Sequence, residues 1–234
     1  GLTMTNRKFD KLFGQKARDS KSEKLTQFHM DIAASIQKVT ENIMIKLAKS
    51  LKEEFNISNL CLAGGVALNC VANGKILKEK IFDNIWVQPA AGDAGGSLGA
   101  TLALWHLEQD NPRKINPEDD MQGSYLGPEY SQEEIQNELD KIGAVYKIKG
   151  EEDLLNQTAN DLSIGEAIGW FQGRMEFGPR ALGNRSILGD PRSSEMQKNL
   201  NLKVKYRESF RPFAPSVLKE NLHEWFDITT DSPY

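Results

Sequence analysis

Histidine and cysteine are scarce in this sequence, with three His and two Cys in 234 residues. Cys61 and Cys70 are too few for a disulfide framework and are not spaced as a zinc site, so small buried core residues are expected there. His29, His106 and His223 lie far apart, and no metal site can be assembled from neighbouring histidines. No apolar run approaches the roughly 20 residues that a membrane-spanning helix needs. The opening segment GLTMTNRKFDKLFGQKARDSKSEK is polar, unlike a signal peptide, and a cytoplasmic location is expected. Excess positive charge is missing as well. Lys and Arg number 29 against 33 Asp and Glu, a net charge of -4, which excludes a global field drawing the chain to nucleic acid or an anionic membrane. Anion binding must then come from local clusters.

What is present is enough apolar residue, 39%, for one large domain or two modest ones. Residues 25–54 place Phe28, Ile32, Ile36, Val39, Ile43, Leu47 and Leu51 at steps of three and four, a long amphipathic helix. The short run from Leu60 to Ala63, closed by Gly64, reads as a buried strand, and VALNCVANGKILKEK as the helix after it. DNIWVQPA, AGDAGG and SLGATLALWHLEQ repeat the order of strand, glycine turn and helix, which indicates an α/β fold. DNPRKINPEDDMQGSYLGPEYS, with three prolines and several acids, is the linker candidate. Beyond it, Ser131 and Glu134 form a capping box for a helix over SQEEIQNELDKIG. AVYKIK reads as a strand, EEDLLNQTANDLSIG as a helix and EAIGWFQG as a strand, so a second domain is placed from residue 122.

Two glycine turns fall where α/β folds bind ligands, at the carboxyl ends of strands. Gly64 and Gly65 leave backbone open to a phosphate or sugar, or simply make a tight turn. Asp93, among Gly92, Gly95 and Gly96, either caps the next helix or holds a divalent metal. The strongest local charge is GRMEFGPRALGNRSILGDPR, which packs Arg174, Arg180, Arg185 and Arg192 into residues 173–192. Arginine's planar fork binds phosphate through two hydrogen bonds and stays charged. Downstream, NLKVKYRESFRPFAPSV adds Lys203, Lys205, Arg207 and Arg211, the first three of which would share one face of a strand. A plainer use and a second specific one compete. The arginines could pair with Glu176, Asp190 and Glu208 as surface ion pairs, or bind RNA with Phe177, Tyr206, Phe210 and Phe213 as stacking platforms.

CLAGGVALNCVANGKI, IWVQPAAGDAGGSLGAT and FQGRMEFGPRALGNRSILGDPR, in this order, closely resemble the nodulation-protein-U type O-carbamoyltransferases. The resemblance implies an α/β chain in which residues 1–121 are the C-terminal part of an ATPase-like domain of the actin and Hsp70 (ASKHA) type. Residues 122–234 would then begin a YrdC-like domain, incomplete at its C-terminus. It also implies that carbamoyl phosphate and ATP form carbamoyl-adenylate in the second domain, and that the carbamoyl group passes to a small-molecule hydroxyl in the first. Arg180, Lys205 and Arg211 match positions that bind the reactants and serve catalysis, with Arg185 and Ser186 as further substrate contacts. Gly64, Gly65 and Asn69 match the nucleotide turn. Asp93 matches a metal ligand, for Fe2+ or alternatively Mg2+, whose paired histidine partners do not occur here, so the chain is expected to be an internal fragment of feeble activity. The alternative is a nucleotide- or tRNA-binding module related to threonylcarbamoyl-adenosine tRNA modification. Nucleic acid and membrane are not expected partners of the transferase, and the oligomeric state stays open.

Overall fold

The computed structural model describes residues 5–19, 21–116, 118–228, 230 and 232. Its backbone contacts divide into two compact units, one of Gly1–Leu60 and Asn69–Trp86, the other of Cys61–Leu68 and Val87–Tyr234. Helices and strands are mixed in an α/β chain, and no helix among the described residues is long and apolar enough to cross a membrane.

In the first unit, α1 (Arg7–Phe13) starts at the Asn6 side chain, which accepts the Lys8 N–H at 2.9 Å. The long predicted helix is α2 (Gln27–Phe55), opened by a capping box in which Thr26 and His29 exchange bonds and closed by Asn56 at φ 48. Its buried row is not the predicted one. Ile36, Val39, Ile43, Leu47 and Leu51 are exposed, whereas Glu41 and Ala48, roughly a third of a turn away, are buried. Two polar contacts set that rotation. Glu41 pairs with Lys75, and Gln37 is bonded to Asn69, both partners belonging to α3 (Cys70–Lys78) or its cap. Ala72 and Ile76 of α3 are 1% exposed, so Ile76→Ala should lower stability by about 2–5 kcal/mol. Urea unfolding measures it, and a change under 1 kcal/mol would contradict this packing.

The strands β1 (Asn59–Leu62) and β2 (Asn84–Val87) pair as a two-stranded sheet. The helix expected to start at Val66 begins instead at Cys70. Gly65–Leu68 is a 3-10 turn, and the Asn69 side chain accepts the Ala72 N–H at 3.1 Å, which starts a new helix. Both cysteines are exposed, contrary to expectation. Leu60 takes the buried side of β1, so its neighbour Cys61 points the other way, and Cys70 stands in the open first turn of α3.

The second unit contains α4 (Asp93–Ala103), which begins inside the glycine run and passes into a π-helical turn over Leu104–Glu108. Gly95 permits that early start, because a Cβ there would lie 2.1 Å from the Ala90 carbonyl oxygen. The expected linker is part of this unit's core: Met121 and Ser124 are buried, around a 3-10 turn at Gln122–Ser124. The Ser131/Glu134 capping box and α5 (Gln132–Lys141) form as read from the sequence, as does α6 (Glu151–Ser163). The strand expected at residues 144–149 does not form. Val145 is fully exposed and Ile148 largely so, with no neighbouring strand among the described residues to pair them. The predicted strand at EAIGWFQG is β3 (Ile168–Phe171), antiparallel to β4 (Arg185–Leu188) with Phe171 opposite Arg185.

After β4, α7 (Met196–Asn199) continues as a π-helical turn over Leu200–Val204, and α8 (Leu222–Trp225) follows later. The strand expected to align Lys203, Lys205 and Arg207 is therefore absent. The Lys205 N–H reaches the Leu200 carbonyl at 2.9 Å, buried Leu200 and Asn201 anchor the turn, and Tyr206 at φ 50 ends it. The three cations do not form one row.

Candidate functional site

The arginine stretch is the loop between β3 and β4, β4 itself and the turn that follows it to Arg192. The loop's ends are tied: Gln172 donates its N–H to the Asn184 carbonyl at 3.0 Å, and the Asn184 side-chain amide donates to the Arg174 carbonyl at 2.9 Å. Glu176, 3% exposed, accepts the N–H groups of Leu182 (2.7 Å) and Asn184 (2.9 Å) on Oε1. Its Oε2 lies 3.6 Å from Arg185 Nε, while Arg185 Nη2 donates to the Gly178 carbonyl at 3.0 Å. From outside the loop, Ser124 Oγ donates to the Phe177 carbonyl at 2.8 Å, and Tyr125 Oη to the Leu182 carbonyl at 3.0 Å. Gly178, at φ 111, sits against Ala90, since a Cβ there would come within 3.0 Å of the alanine's own.

This clamp sorts the four arginines. Arg174 reaches the Gly127 carbonyl at 2.8 Å and Glu129 at 3.3 Å. Arg192 grips Asp190 through both Nε and Nη2, and Arg185 faces Glu176. Arg180 is exposed at the loop's far point and has no hydrogen-bond or ion-pair partner among the described residues. The ion-pair reading of the stretch thus accounts for three arginines and leaves one over.

Lys205 likewise is exposed, with its side chain unpaired among the described residues. Arg211 meets Glu208 at 3.1 Å on the surface, a pairing worth about 0–1 kcal/mol and readily exchanged for a phosphate. Both follow α7, which Gly189 at the exit of β4 holds close by packing on Met196 and Leu200. No described contact joins either side chain to Arg180. Ser186 Oγ accepts the Gly183 N–H at 3.2 Å and so helps shape the loop. Of the aromatics open to nucleic acid, Tyr206 and Phe210 are exposed, while Arg207 covers the Phe213 ring at 5.0 Å.

The glycine turns meet the arginine loop along one seam. Gly64, at φ 90, donates its N–H to the Ala91 carbonyl at 2.8 Å, next to the Ala90 that supports Gly178. Gly65 is exposed, with open space where a Cβ would be. Asp93 lies just beyond as the first residue of α4; Gly92 occupies the N-cap, so the carboxylate is not the capping group. Asn69 belongs to the other unit, where its side chain is engaged with Gln37 and the Ala72 N–H.

The metal reading finds one donor here. Among the described residues no group of three or more His, Cys, Asp and Glu could hold an ion. Asp93 alone does not make a site. His29 is committed to its capping box, and His106 Nδ1 lies 2.9 Å from the Asn111 carbonyl.

Burial pushes the Glu176 carboxyl up, but the N–H groups of Leu182 and Asn184 and the Arg185 charge outweigh it and hold the group below the usual glutamate range. A lowered value means that the ionised form stabilises the fold above the ordinary glutamate pKa, and that this is lost as pH falls through the lowered one. The protection of the Leu182 and Asn184 amides against hydrogen exchange, relative to their intrinsic rates at each pH, should therefore fall in that acid window before that of the rest of the unit. Amides that stay protected until global unfolding would contradict it.

Sequence reasoning offers Glu176 as an ion-pair partner of the arginines and misses Ser124 and Tyr125, which complete the clamp. Met121, Tyr125, Leu126 and Tyr130 are many apolar side chains for a solvated linker, and that density was the available signal.

Comparison with known proteins bears on the whole chain. The family model of the carbamoyltransferase N-terminus matches residues 1–102, and that of the carbamoyltransferase C-terminus residues 159–234. An uncharacterized protein of Synechocystis, sll1178, is 57% identical over 100% of this chain and 38% of its own length. Nodulation protein NolO of Bradyrhizobium diazoefficiens is 44% identical over 87% of this chain and 36% of its own length. Nodulation protein NolNO of Sinorhizobium fredii is 45% identical over 87% and 29%. The chain spans about a third of the length of the curated relatives it matches.

Proposed function

The chain belongs to the carbamoyltransferase family, and on that premise we propose that it serves an ATP-dependent O-carbamoyltransferase. Carbamoyl phosphate, ATP and water give carbamoyl-adenylate, pyrophosphate and phosphate. The hydroxyl of a small-molecule acceptor then attacks the carbamoyl carbon, loses its proton, and releases AMP. Residues 1–121 belong in this reading to an ATPase-like domain of the actin and Hsp70 type, and residues 122–234 to a YrdC-like domain.

The observation that supports it is the sorting of the arginines. Two anionic reactants must be brought together, and charge develops on phosphate oxygens as the anhydride forms. A cation serves that step if it is held in place yet has no internal partner. Arg180 is such a group, on a loop tied at both ends, with Arg174, Arg185 and Arg192 engaged elsewhere. Lys205 and Arg211 add charge to the phosphates, and Ser186 and Arg185 shape the loop beneath them. Gly64 and Gly65 open the backbone to the nucleotide, and Asn69, whose side chain is bonded to Gln37 and the Ala72 N–H, is the third residue assigned to the nucleotide in this reading. Asp93 is the candidate for one ligand of Fe2+ or Mg2+; with a single donor in hand, no step is assigned to a metal.

The test is release of pyrophosphate from ATP by the complete protein, with and without carbamoyl phosphate. Dependence on carbamoyl phosphate is expected, and its absence would sink the mechanism. Filter binding of tRNA at rising salt separates the tRNA-binding alternative, which predicts a steep loss of affinity with salt and no competition by carbamoyl phosphate.

A further inference from the structure

We propose that Glu176 is the positioning residue of this site, holding Arg180 in place through the loop backbone and through Arg185 without touching a reactant. The inference rests on Arg180 being the phosphate-binding group. Glu176 has the most fully buried side chain in the arginine stretch's ion pairs, with no side-chain exposure, and a carboxylate is costly to bury unless its charge is matched. The matching groups are confined to one segment. Oε1 accepts the N–H groups of Leu182 and Asn184, and Oε2, with no hydrogen bond of its own among the described residues, faces Arg185. One side chain at the start of the loop therefore closes it against its far end, and residues 177–181 become a short excursion with Arg180 on it.

The closure is made twice over. Arg185, held by Glu176, returns to the Gly178 carbonyl at 3.0 Å, which fixes the loop between the two residues from the other side. Gly178 in turn rests on Ala90. A neutral amide at position 176 could keep one or both Oε1 contacts, but its NH2 group would then confront the Arg185 guanidinium. The charge is what the second closure needs. It also engages Arg185 electrostatically, so that the free cation offered by the loop is Arg180.

The experiment is a mutant cycle in the complete protein, reading kcat and KM for carbamoyl phosphate in pyrophosphate release. Circular dichroism melting is run on each variant. Glu176→Gln should lower kcat/KM about 100-fold, mainly by lowering kcat, since a group facing developing charge that is displaced by about 1 Å loses that much. Glu176→Asp, which keeps the charge, should recover part of it. The decisive reading is the double variant E176Q/R180A. If Glu176 acts through Arg180, it should be no slower than R180A alone, whereas a general structural role makes the two losses multiply. Should E176Q fail to fold, E176D with R180A gives the same cycle. Wild-type kinetics for the Glu176 variants beside an impaired R180A, or multiplying losses, would overturn this proposal and leave the transferase reading standing. A silent R180A overturns both.

Discussion

Under the proposed transferase mechanism, replacing Arg180 with alanine in the complete protein should cut carbamoyl phosphate-dependent pyrophosphate release by about 10²–10³-fold, the usual loss when one preorganised group facing developing charge is removed. The melting temperature should stay where it was, because the side chain is exposed and has no partner among the described residues. Arg174→Ala is the matched comparison. It removes the same charge from the same loop, but the arginine lost is paired with Glu129 on the surface, and the change should be within about 1 kcal/mol of stability with little kinetic effect. Equal kinetic losses in the two variants would mean that overall loop charge, and not the unpaired arginine, carries the activity.

The second large effect is on stability, and its sign is opposite to the ordinary one. Glycine to alanine inside a helix normally stabilises by about 0.5–1 kcal/mol. At Gly96, with open space where the Cβ would go, that gain is expected. At Gly95 the added Cβ would lie 2.1 Å from the Ala90 oxygen and 3.2 Å from its carbon, both backbone atoms of a fully buried residue. The first turn of α4 must move, and Gly95→Ala should cost about 3 kcal/mol. Urea midpoints of the two variants give the test: shifts in the same direction would refute the close approach of α4 to Ala90. The displacement would also carry Asp93, two residues earlier on the same turn.

Much of the fold is local and was legible. The capping box of Ser131 and Glu134, the span of α2, α6 and the strand before the arginine loop follow from periodicity and caps that lie within a few residues of each other. What escaped is set by distant partners. The rotation of α2 depends on Lys75 and Asn69, 34 and 32 residues from the glutamate and glutamine they meet. Ser124 holds a carbonyl 53 residues away, and nothing in its neighbours' spacing signals that. The alternation Lys203, Lys205, Arg207 is a valid strand pattern, yet burial of Leu200 and Asn201 keeps the chain helical as far as Val204, and Tyr206 at φ 50 turns it before Arg207. For the site, the cluster of arginines was visible as composition. Which arginine is left without a partner was not, because the deciding acids reach it only through the folded loop.

The grip on the arginine loop is made largely on backbone groups: Glu176 takes the N–H of Leu182 and Asn184, Tyr125 the carbonyl of Leu182, and Ser124 that of Phe177. Side-chain identity at position 182 is therefore nearly free to drift, whereas Gly178 and Gly183, at φ 111 and 119, are not. In a randomised library of residues 176–185 under selection for activity, diversity should survive at 182 and vanish at 176, 178, 180 and 183. A loop held by its main chain can change its surface over generations without changing the place where it puts its charge.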